Sequence, residues 1–335
     1  MRIAFLMDPL ESIAPVHETT SHIMYECNQR RHSVYFFEPH DIYVRGNRIV
    51  ARMRDVSAPQ DLSMKQYWRT LIRGLKREER IFEPLSEIDA IFLRKNPPIV
   101  RHALEILSPL EDRVFILNST HGQLLAHTKL YALNFPSIIP ETHLSRDPNR
   151  LRRVIEEFGG SMIIKPISRF GGEGVIKVGM QDKLNLNSLI HFYVHSSREY
   201  ARREPIMVQE YLETSLSEGD VRVLLLNGEV LGAMRRVPAV GDFRTNIHAG
   251  GRALKHTLTP AQRHICEVIK ERLVRDGLYF VGIDIIGDKL IEINCLSPGG
   301  VPRINRLDKV KLEEKIVDFI ELKVAEKRGF ARAQE

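Results

Sequence analysis

The sequence predicts an α/β N-terminal region built on a parallel sheet, followed by two α+β units. Two short apolar runs, residues 2–7 and 33–37, bracket a helix-length stretch at 18–31, in the order strand, helix, strand. Continuous apolar strands of this kind are usually buried on both faces, which favours a parallel sheet. After Asn118 the pattern changes to helices followed by pairs of strands. At roughly 100 to 200 residues per domain, a chain of 335 residues forms two or three such units.

The N-terminal region, 1–122, contains further elements that extend the first sheet. Residues 43–54 alternate around Gly46-Asn47 and predict a hairpin. The other expected elements of this region are strands at 90–93 and 114–117 and helices at 66–77 and 102–107.

The central region, 123–204, is predicted to be an α+β unit. A helix at 122–134 and a second at 148–158 precede two strands, 161–165 and 174–178, which a glycine-rich turn connects.

The C-terminal region, 205–330, is predicted to be a second α+β unit. It begins with a strand at 206–211, a hairpin turning at Asn227-Gly228 and a polar loop at 238–256. Thr259, Pro260 and Gln262 then mark the start of a helix through a capping box, and Gly277 ends it. The closing elements are strands at 278–286 and 290–295 and a helix at 307–325.

Composition excludes several classes of protein. The hydrophobic share of 43% and the charged share of 27% are typical of globular chains, so neither a disordered chain nor a membrane bundle is expected. No apolar run approaches the roughly 20 residues that span a bilayer. The first apolar run is too short for a signal peptide, so we expect a cytoplasmic protein. Cys27, Cys266 and Cys295 are far apart and form no C-x-x-C, which predicts free thiols.

The net charge of +6 suits phosphate or carboxylate ligands. The basic residues are scattered and no nucleic-acid-binding motif accompanies them, so nucleic acid is not the expected partner.

A glycine-rich segment, residues 168–174, joins two predicted strands. A Walker loop instead connects a strand to a helix and carries Gly-Lys-Ser/Thr, so this loop is of another kind. Gly171 and Gly172 allow positive φ, which brings backbone N–H groups within reach of phosphate oxygens. Lys165 at the end of the preceding strand is well placed for a phosphate, and Lys129 is a second candidate. The alternatives are a flexible hairpin turn and an ordinary surface lysine.

Three oxygen-bearing side chains interrupt the last two predicted strands. Asp284, Glu292 and Asn294 stand among apolar residues, where a polar group is costly without a partner. Hard oxygen ligands of this type suit Mg²⁺ that bridges nucleotide phosphates. Glu292 and Asn294 share a strand face, but a simple two-residue turn at Gly287-Asp288 would point Asp284 the other way. We therefore predict a three-residue connection or an equivalent bulge that pairs Asp284 with Glu292. The alternative is a set of polar side chains at the solvent edge of a sheet.

Asp220 and Arg222 share one face of a predicted strand. They form either a local surface pair or a site in which the guanidinium faces a transferring phosphoryl group. The polar loop at 238–256 is either a lid over anionic ligands or simply mobile. Residues in or beside this loop that suit anionic ligands are Arg236, Arg244, Asn246, Gly250 and Gly251.

Several segments form one ordered pattern: Lys129, Ile164-Lys165-Pro166, the glycine-rich hairpin, Val208-Gln209-Glu210-Tyr211-Leu212, Gly219-Asp220-Val221-Arg222, Arg244-Thr245-Asn246, Ala249-Gly250-Gly251, Gly282-Ile283-Asp284 and Glu292-Ile293-Asn294. Together they resemble the ATP-grasp ligases and, within them, the bacterial glutathione synthetases. Met7-Asp8-Pro9 and Leu93-Arg94-Lys95-Asn96-Pro97-Pro98 extend the resemblance to nearly the whole chain.

The resemblance implies a fold and an activity. Residues 1–122 would be a substrate-binding pre-ATP-grasp domain, 123–204 the ATP-grasp lid subdomain and 205–330 the catalytic subdomain. The family phosphorylates the C-terminal carboxylate of γ-glutamylcysteine with ATP, and the amine of glycine then attacks the acyl phosphate. The resemblance further implies two Mg²⁺ ions, with Mn²⁺ as an alternative metal, and a homotetramer or dimer. Its substrates are small molecules, and neither nucleic acid nor a membrane is implied.

Matched residue by residue, the resemblance also implies roles in the site. The residues matched to the ATP phosphates are Lys129, Lys165, Gly171 and Gly172. Those matched to the adenine are Gln209, Glu210, Tyr211 and Leu212, and Asp220 is matched to a position near the ribose. The Mg²⁺ ligands are Asp284, Glu292 and Asn294. The catalytic cations are Arg222, Arg236 and Lys165. Substrate contacts fall to Arg244, Asn246, Gly250, Gly251 and Ser297.

Two segments depart from the family pattern. Asn96 stands where the family has Asp, and Leu296-Ser297-Pro298-Gly299 stands where it has Thr-Ser-Pro-Thr. The second change lies near the acceptor amine, where Gly299 removes a side chain and predicts a roomier pocket. The alternatives to a glutathione synthetase are an ATP-grasp ligase with another donor or amine, and a nucleotide-binding protein that no longer ligates.

Overall fold

The structure of the protein is a computed structural model, and it describes residues 1–75, 81–179, 182–194, 204–214, 218–238 and 251–334. Three sheets with flanking helices make up these ranges. Among the described helices, none combines the length with the apolar composition that crossing a bilayer requires.

The N-terminal sheet has seven strands: β1 (Arg2–Leu6), β2 (Ser33–Phe37), β3 (Ile42–Arg45), β4 (Arg48–Asp55), β5 (Ile81–Pro84), β6 (Ala90–Leu93) and β7 (Phe115–Leu117). They lie in the order β3-β4-β2-β1-β6-β7, with β5 beside β4. The four strands β2, β1, β6 and β7 are parallel, as the apolar runs predict. Both faces of β1 are buried, since Phe5 enters one hydrophobic core and Leu6 enters another. The hairpin β3–β4 is confirmed, whereas β5 has no counterpart in the prediction.

The described helices are α1 (Thr19–Gln29), α2 (Met64–Leu75), α3 (Arg101–Leu107), α4 (Thr120–Ala126), α5 (Pro148–Phe158), α6 (Lys183–Val194), α7 (Pro260–Arg275), α8 (Val301–Asp308) and α9 (Leu312–Gln334). The single helix expected at 122–134 is wrong: α4 ends and a short 3-10 helix, Lys129–Asn134, follows it. Thr128 starts this new helix because its side chain accepts from the backbone N of Leu130. The helix expected at 307–325 is likewise two helices, since Lys309 adopts a left-handed φ of 59° between α8 and α9.

The central sheet is antiparallel and has four strands: β8 (Thr142–Ser145), β9 (Met162–Pro166), β10 (Ile176–Val178) and β11 (Ile206–Glu210). Their order is β10-β9-β11-β8. The strand β11 therefore belongs to the central sheet, although the division at 204/205 groups it with the C-terminal region. It joins this sheet because its partners for backbone hydrogen bonds, β8 and β9, lie there.

The C-terminal sheet has five strands: β12 (Asp220–Leu226), β13 (Glu229–Val237), β14 (Arg252–Lys255), β15 (Phe280–Ile286) and β16 (Lys289–Asn294). They are antiparallel in the order β14-β13-β12-β15-β16. The predicted loop at 238–256 is wrong in its last part, which β14 occupies by pairing with β13. The capping box of α7 is confirmed, with Thr259 and Gln262 bonded in both directions.

The carboxamide of Asn118, the residue after β7, joins the N-terminal and C-terminal sheets. Its Oδ1 accepts from the N of Phe280 at 2.7 Å, and its Nδ2 donates to the carbonyl oxygens of Phe280 and Cys295, both at 2.8 Å. The rings of Phe92 and Phe280 meet edge to face, with centroids 6.0 Å apart. These contacts hold the ends of β15 and β16 against the N-terminal region.

Candidate active site

Three charged side chains, which we call the carboxylate row, lie side by side across the C-terminal sheet. Arg222 on β12 is the cross-strand partner of Asp284 on β15, and Asp284 is the partner of Glu292 on β16. The turn at Gly287-Asp288 has two residues, and a register shift beyond Asp284 supplies the bulge. The predicted pairing of Asp284 with Glu292 is therefore confirmed.

Asp284 accepts four polar contacts. Arg222 approaches with Nε at 2.5 Å and Nη2 at 2.9 Å, Arg236 with Nη2 at 3.0 Å, and Asn294 with Nδ2 at 3.3 Å. Burial opposes the charge of Asp284, but the two guanidinium groups outweigh it and bring the pKa of this carboxyl to about 2. Asp284 is therefore ionised at neutral pH.

Arg236 bridges two buried carboxylates. Its Nε donates to Asp220 at 2.8 Å, and its Nη2 contacts both Asp220 and Asp284. Burial raises the pKa of Asp220, and the two carboxylates hold the pKa of Arg236 above its usual range even though burial opposes its charge. Asp220 is only 5% exposed, and both of its oxygens accept from Arg236. The local surface pair of Asp220 with Arg222 is wrong, since Asp220 pairs with Arg236 and Arg222 with Asp284 across the sheet.

Gly282 lies closely beneath Pro298 and Arg222. A Cβ at this position would stand 3.4 Å from the Cδ and Nη1 of Arg222 and 3.1 Å from the Cβ of Pro298. Arg222 also donates from Nη1 to the carbonyl oxygen of Gly299 at 3.3 Å. The guanidinium of Arg222 thus connects the carboxylate row to the segment 297–300.

Two lysines with largely buried side chains lie near Glu292 of the carboxylate row. Lys165 on β9 donates to the Oε1 of Gln209 at 2.5 Å. Burial lowers the pKa of Lys165 to about 8, although the nearby charge of Glu292 favours its protonated form. Lys129 lies with Nζ 3.5 Å from the Oε1 of Glu292, and its side chain is 8% exposed. The interpretation of Lys129 as an ordinary surface lysine is therefore wrong.

The glycine-rich turn packs over Lys129. The Nζ of Lys129 donates to the carbonyl oxygen of Arg169 and lies 5.4 Å from the centroid of the Phe170 ring. Gly171 and Gly172 have φ of 64° and 80°, in the left-handed region that glycine favours. The turn therefore has the backbone geometry of a loop that can present N–H groups to an anion.

The four residues matched to the adenine pocket lie at the end of β11. Gln209 contacts Lys165, and Tyr211 is buried with the Nζ of Lys177 3.8 Å from its ring centroid. Glu210 and Leu212 are half-buried. A flat aromatic ring directly after a strand end suits contact with a planar base.

A cleft of about 490 Å³, a volume suited to small molecules, lies beside part of this arrangement. Lys165, Gln209, Tyr211, Asp220 and Asp284 are not among the residues that line it. The C-terminal region contributes Arg222, Arg236, Glu292, Asn294, Ser297 and Arg303, and the other regions contribute His17, Glu18, Asn96, Lys129, Phe170 and Gly171. Gly251 precedes β14 directly. Arg244, Asn246 and Gly250 lie outside the residues that the structure describes, as does most of the predicted lid.

The donor set fits a hard cation such as Mg²⁺. Asp284 and Glu292 are adjacent carboxylates, and Asn294 stands two residues beyond Glu292 on the same strand. The four contacts fill the acceptor sites of Asp284 as it stands. Turning the amide of Asn294 by 180° would remove one of these donors and present the Oδ1 of Asn294 in its place. This one change yields three oxygen ligands.

Arg94 is a component of the site region that sequence reasoning did not assign. It is 3% exposed, and it donates to the Oγ1 of Thr20 at 3.0 Å and to the carbonyl oxygen of Pro298 at 3.1 Å. Burial lowers the pKa of Arg94 to about 10. Its signal in the sequence is a charged residue directly after the buried strand β6.

Comparison with known proteins identifies the family. Residues 1–122 match the model of the prokaryotic glutathione synthetase N-terminal domain, and residues 128–309 match that of the prokaryotic glutathione synthetase ATP-grasp domain. The chain belongs to the prokaryotic glutathione synthetase family. It is 39% identical to the glutathione synthetase of Gloeobacter violaceus, over 96% of each chain, and 34% identical to that of Synechocystis, over 96% of this chain and 99% of the relative.

The solved structure of a D-cycloserine synthetase has a similar fold, with a TM-score of 0.63 at 11% identity over 95% of this chain and 99% of that one. The family and fold predicted from the sequence are therefore confirmed. Membership makes the chain an ATP-dependent carbon–nitrogen ligase that acts on small molecules.

Proposed function

We propose that the protein joins the cysteine carboxylate of γ-glutamylcysteine to the amine of glycine, with conversion of ATP to ADP and phosphate and formation of glutathione. The observation that carries the proposal is the pair Asp284–Glu292 beside the cleft, with Arg222 bonded to Asp284 and with Lys129 and Lys165 near Glu292. A carboxylate pair beside several fixed cations is suited to metal-assisted phosphoryl transfer.

In the first step, an oxygen of the dipeptide carboxylate attacks the γ-phosphorus of ATP. The bond from phosphorus to the bridging oxygen breaks, its electrons stay on ADP, and an acyl phosphate forms. Lys165 and Lys129 hold the phosphate oxygens, and Arg222 neutralises charge on the transferring group. The segment 209–212, which contains the buried Tyr211, holds the adenine.

In the second step, the neutral amine of glycine attacks the acyl carbon. The bond from carbon to the phosphate oxygen breaks with its electrons on phosphate, and the nitrogen releases its proton to solvent. Arg236 stabilises negative charge beside the acyl group, and Ser297 with the neighbouring backbone holds the small acceptor. The part of the predicted loop 238–256 that precedes β14 is assigned the exclusion of water, since water would hydrolyse the acyl phosphate. Arg244, Asn246, Gly250 and Gly251 are assigned to contacts with the dipeptide.

Asp284, Glu292 and Asn294 are the residues that would hold divalent metal. Two Mg²⁺ ions, or Mn²⁺ in their place, would neutralise phosphate charge when bound. We expect activity to be lost with a chelator and restored by Mg²⁺.

The test is ADP release with a panel of carboxylate donors and amine acceptors, together with mass analysis of the product. Release with γ-glutamylcysteine and glycine, and a product of the mass of glutathione, is the expected result. Turnover only with another donor or amine would identify a different ligase, and no ADP release with any pair would identify a nucleotide-binding protein without ligase activity.

We also propose a homotetramer or dimer in the cytoplasm. The oligomer rests on the resemblance to the family, and light scattering with size-exclusion chromatography measures it. The compartment is supported by the three cysteines, which are all free and buried.

A further inference from the structure

Two opposite charges in the cleft are unpaired within the part of the chain that the structure describes. Glu18 and Arg303 both line the cleft, and neither side chain makes a hydrogen bond or an ion pair there. Arg222, Arg236 and Lys129, which line the same cleft, each contact a carboxylate. The pair Glu18 and Arg303 is therefore open to a ligand.

The segments that carry these two side chains are bonded to each other. Thr19 follows Glu18 directly, and its Oγ1 accepts from the backbone N of Gly300 at 3.2 Å and of Val301 at 3.3 Å. Arg303 stands two residues further along α8. The start of α1 is thus bonded to the start of α8, with an acidic side chain from one and a basic side chain from the other facing the same cleft.

The local charge balance is positive. Glu18 is the acidic side chain whose charge acts on both Arg303 and the buried Arg94, opposing the burial that lowers the pKa of each. The charge of Glu18 therefore acts on two guanidinium groups. Arg303 has no carboxylate in contact among the described residues, so a carboxylate of a ligand suits it.

We propose that Arg303 binds the α-carboxylate, and Glu18 the α-ammonium, of the γ-glutamyl end of the donor dipeptide. An ammonium and a carboxylate on one carbon need an acidic and a basic partner in the same cleft, and this pair supplies them. The inference rests on the proposed function, because it assigns a position to the donor of that reaction.

The chemistry of the two substrates favours the donor over the acceptor at this pair. The amine of the γ-glutamyl end takes no part in the reaction, so it stays protonated beside Glu18. The amine of glycine must lose its proton before it attacks, and a neighbouring carboxylate would favour the protonated form. Glycine therefore belongs elsewhere in the cleft.

The test compares Arg303→Gln and Glu18→Gln with a matched control, Arg306→Gln, which removes an exposed arginine from the same helix. Each protein is assayed with γ-glutamylcysteine, with glutaryl-cysteine, which lacks the ammonium, and with 4-aminobutyryl-cysteine, which lacks the α-carboxylate. The readouts are kcat/KM for each donor from ADP release, and the KM values for ATP and glycine.

Arg303→Gln should lower kcat/KM for γ-glutamylcysteine about ten- to a hundredfold, as expected for a lost charge-assisted contact. It should also lose the discrimination of the parent against 4-aminobutyryl-cysteine, and Glu18→Gln should lose that against glutaryl-cysteine. The KM values for ATP and glycine should stay as in the parent, and Arg306→Gln should behave like the parent throughout. General damage to the fold would not produce this one-to-one match between variant and analogue.

A rise in the KM for glycine instead of the donor effect would assign Arg303 to the acceptor and overturn the proposal. Unchanged discrimination against both analogues in the two variants would overturn it as well. If the parent turns over γ-glutamylcysteine and the variants equal it, only this inference fails. If the parent does not turn over γ-glutamylcysteine, the proposed function fails and this inference fails with it.

Discussion

Replacing Lys165 with methionine is expected to stabilise the ligand-free protein while removing most of its affinity for ATP. The ammonium group has three N–H donors, and its one hydrogen bond among the described residues goes to Gln209. Lys165 is 5% exposed, and burial lowers its pKa from 10.5 to about 8. At about 1.36 kcal/mol per pKa unit, the buried charge costs about 3 kcal/mol at neutral pH.

Methionine has a similar length and no charge, so the variant avoids this cost. It leaves the Oε1 of Gln209 without a donor, which offsets about 1 kcal/mol of the gain. We therefore expect a free energy of unfolding about 2 kcal/mol higher at pH 7. The unfolded chain keeps the Lys165 proton to about pH 10.5 and the folded one only to about pH 8, so the parent gains stability between these values. The advantage of the variant should disappear across the same range.

Urea denaturation of the ligand-free protein at pH 7 and pH 10 measures the stability, and calorimetric titration measures ATP affinity. Removing a charge-assisted phosphate contact should weaken ATP binding about ten- to a hundredfold. Lys255→Met is the matched control, because Lys255 is an exposed lysine whose ion pair with Asp308 at 3.2 Å contributes little. A Lys165→Met protein that is less stable than the parent at pH 7 and binds ATP equally well would refute the reasoning on both counts.

Three further outcomes are expected. Arg236→Met should lower the free energy of unfolding by about 3 to 5 kcal/mol because it leaves Asp220 buried without its cation. Adding Asp220→Asn should recover most of this loss in the same urea assay. An Arg236→Met protein as stable as the parent would contradict the role of this pair. The parent's preference for glycine over alanine in kcat/KM should stay below about a thousandfold, and a preference above that value argues against a roomy pocket. Gly299→Thr should raise the preference for glycine, and the new Cβ meets no atom within 4 Å. The three buried cysteines should react with a thiol reagent only after unfolding, because burial raises the pKa of each thiol, and rapid labelling of the native protein would count against this.

Elements with a buried face were predictable from the sequence, and elements without one were not. The strands β1, β2 and β6 are almost wholly buried, so their apolar runs identify them. The strands β8 and β14 contain no buried residue. They are strands because their backbones bond to a neighbour, and that leaves no periodic pattern of side chains.

The candidate site likewise has parts that the sequence predicts and parts that it does not. The sequence by itself predicted the pairing of Asp284 with Glu292, because three oxygen-bearing side chains among apolar residues can share a ligand only from one face, and a bulge brings Asp284 to that face. It also predicted a phosphate contact for Lys165, which stands at the end of an apolar strand. These inferences need only the short-range geometry of neighbouring residues.

Only the tertiary structure decided which charges meet across the sheets. Arg222 and Asp284 are 62 residues apart in the chain, and they face each other because β12 lies beside β15. Asp220 meets Arg236 through the register of β12 with β13, and Glu18 reaches the cleft of Arg303 because α1 packs against α8. Strand order and helix packing follow from which apolar faces are buried together over the whole chain, and this long-range condition leaves no local pattern at the charged residues themselves.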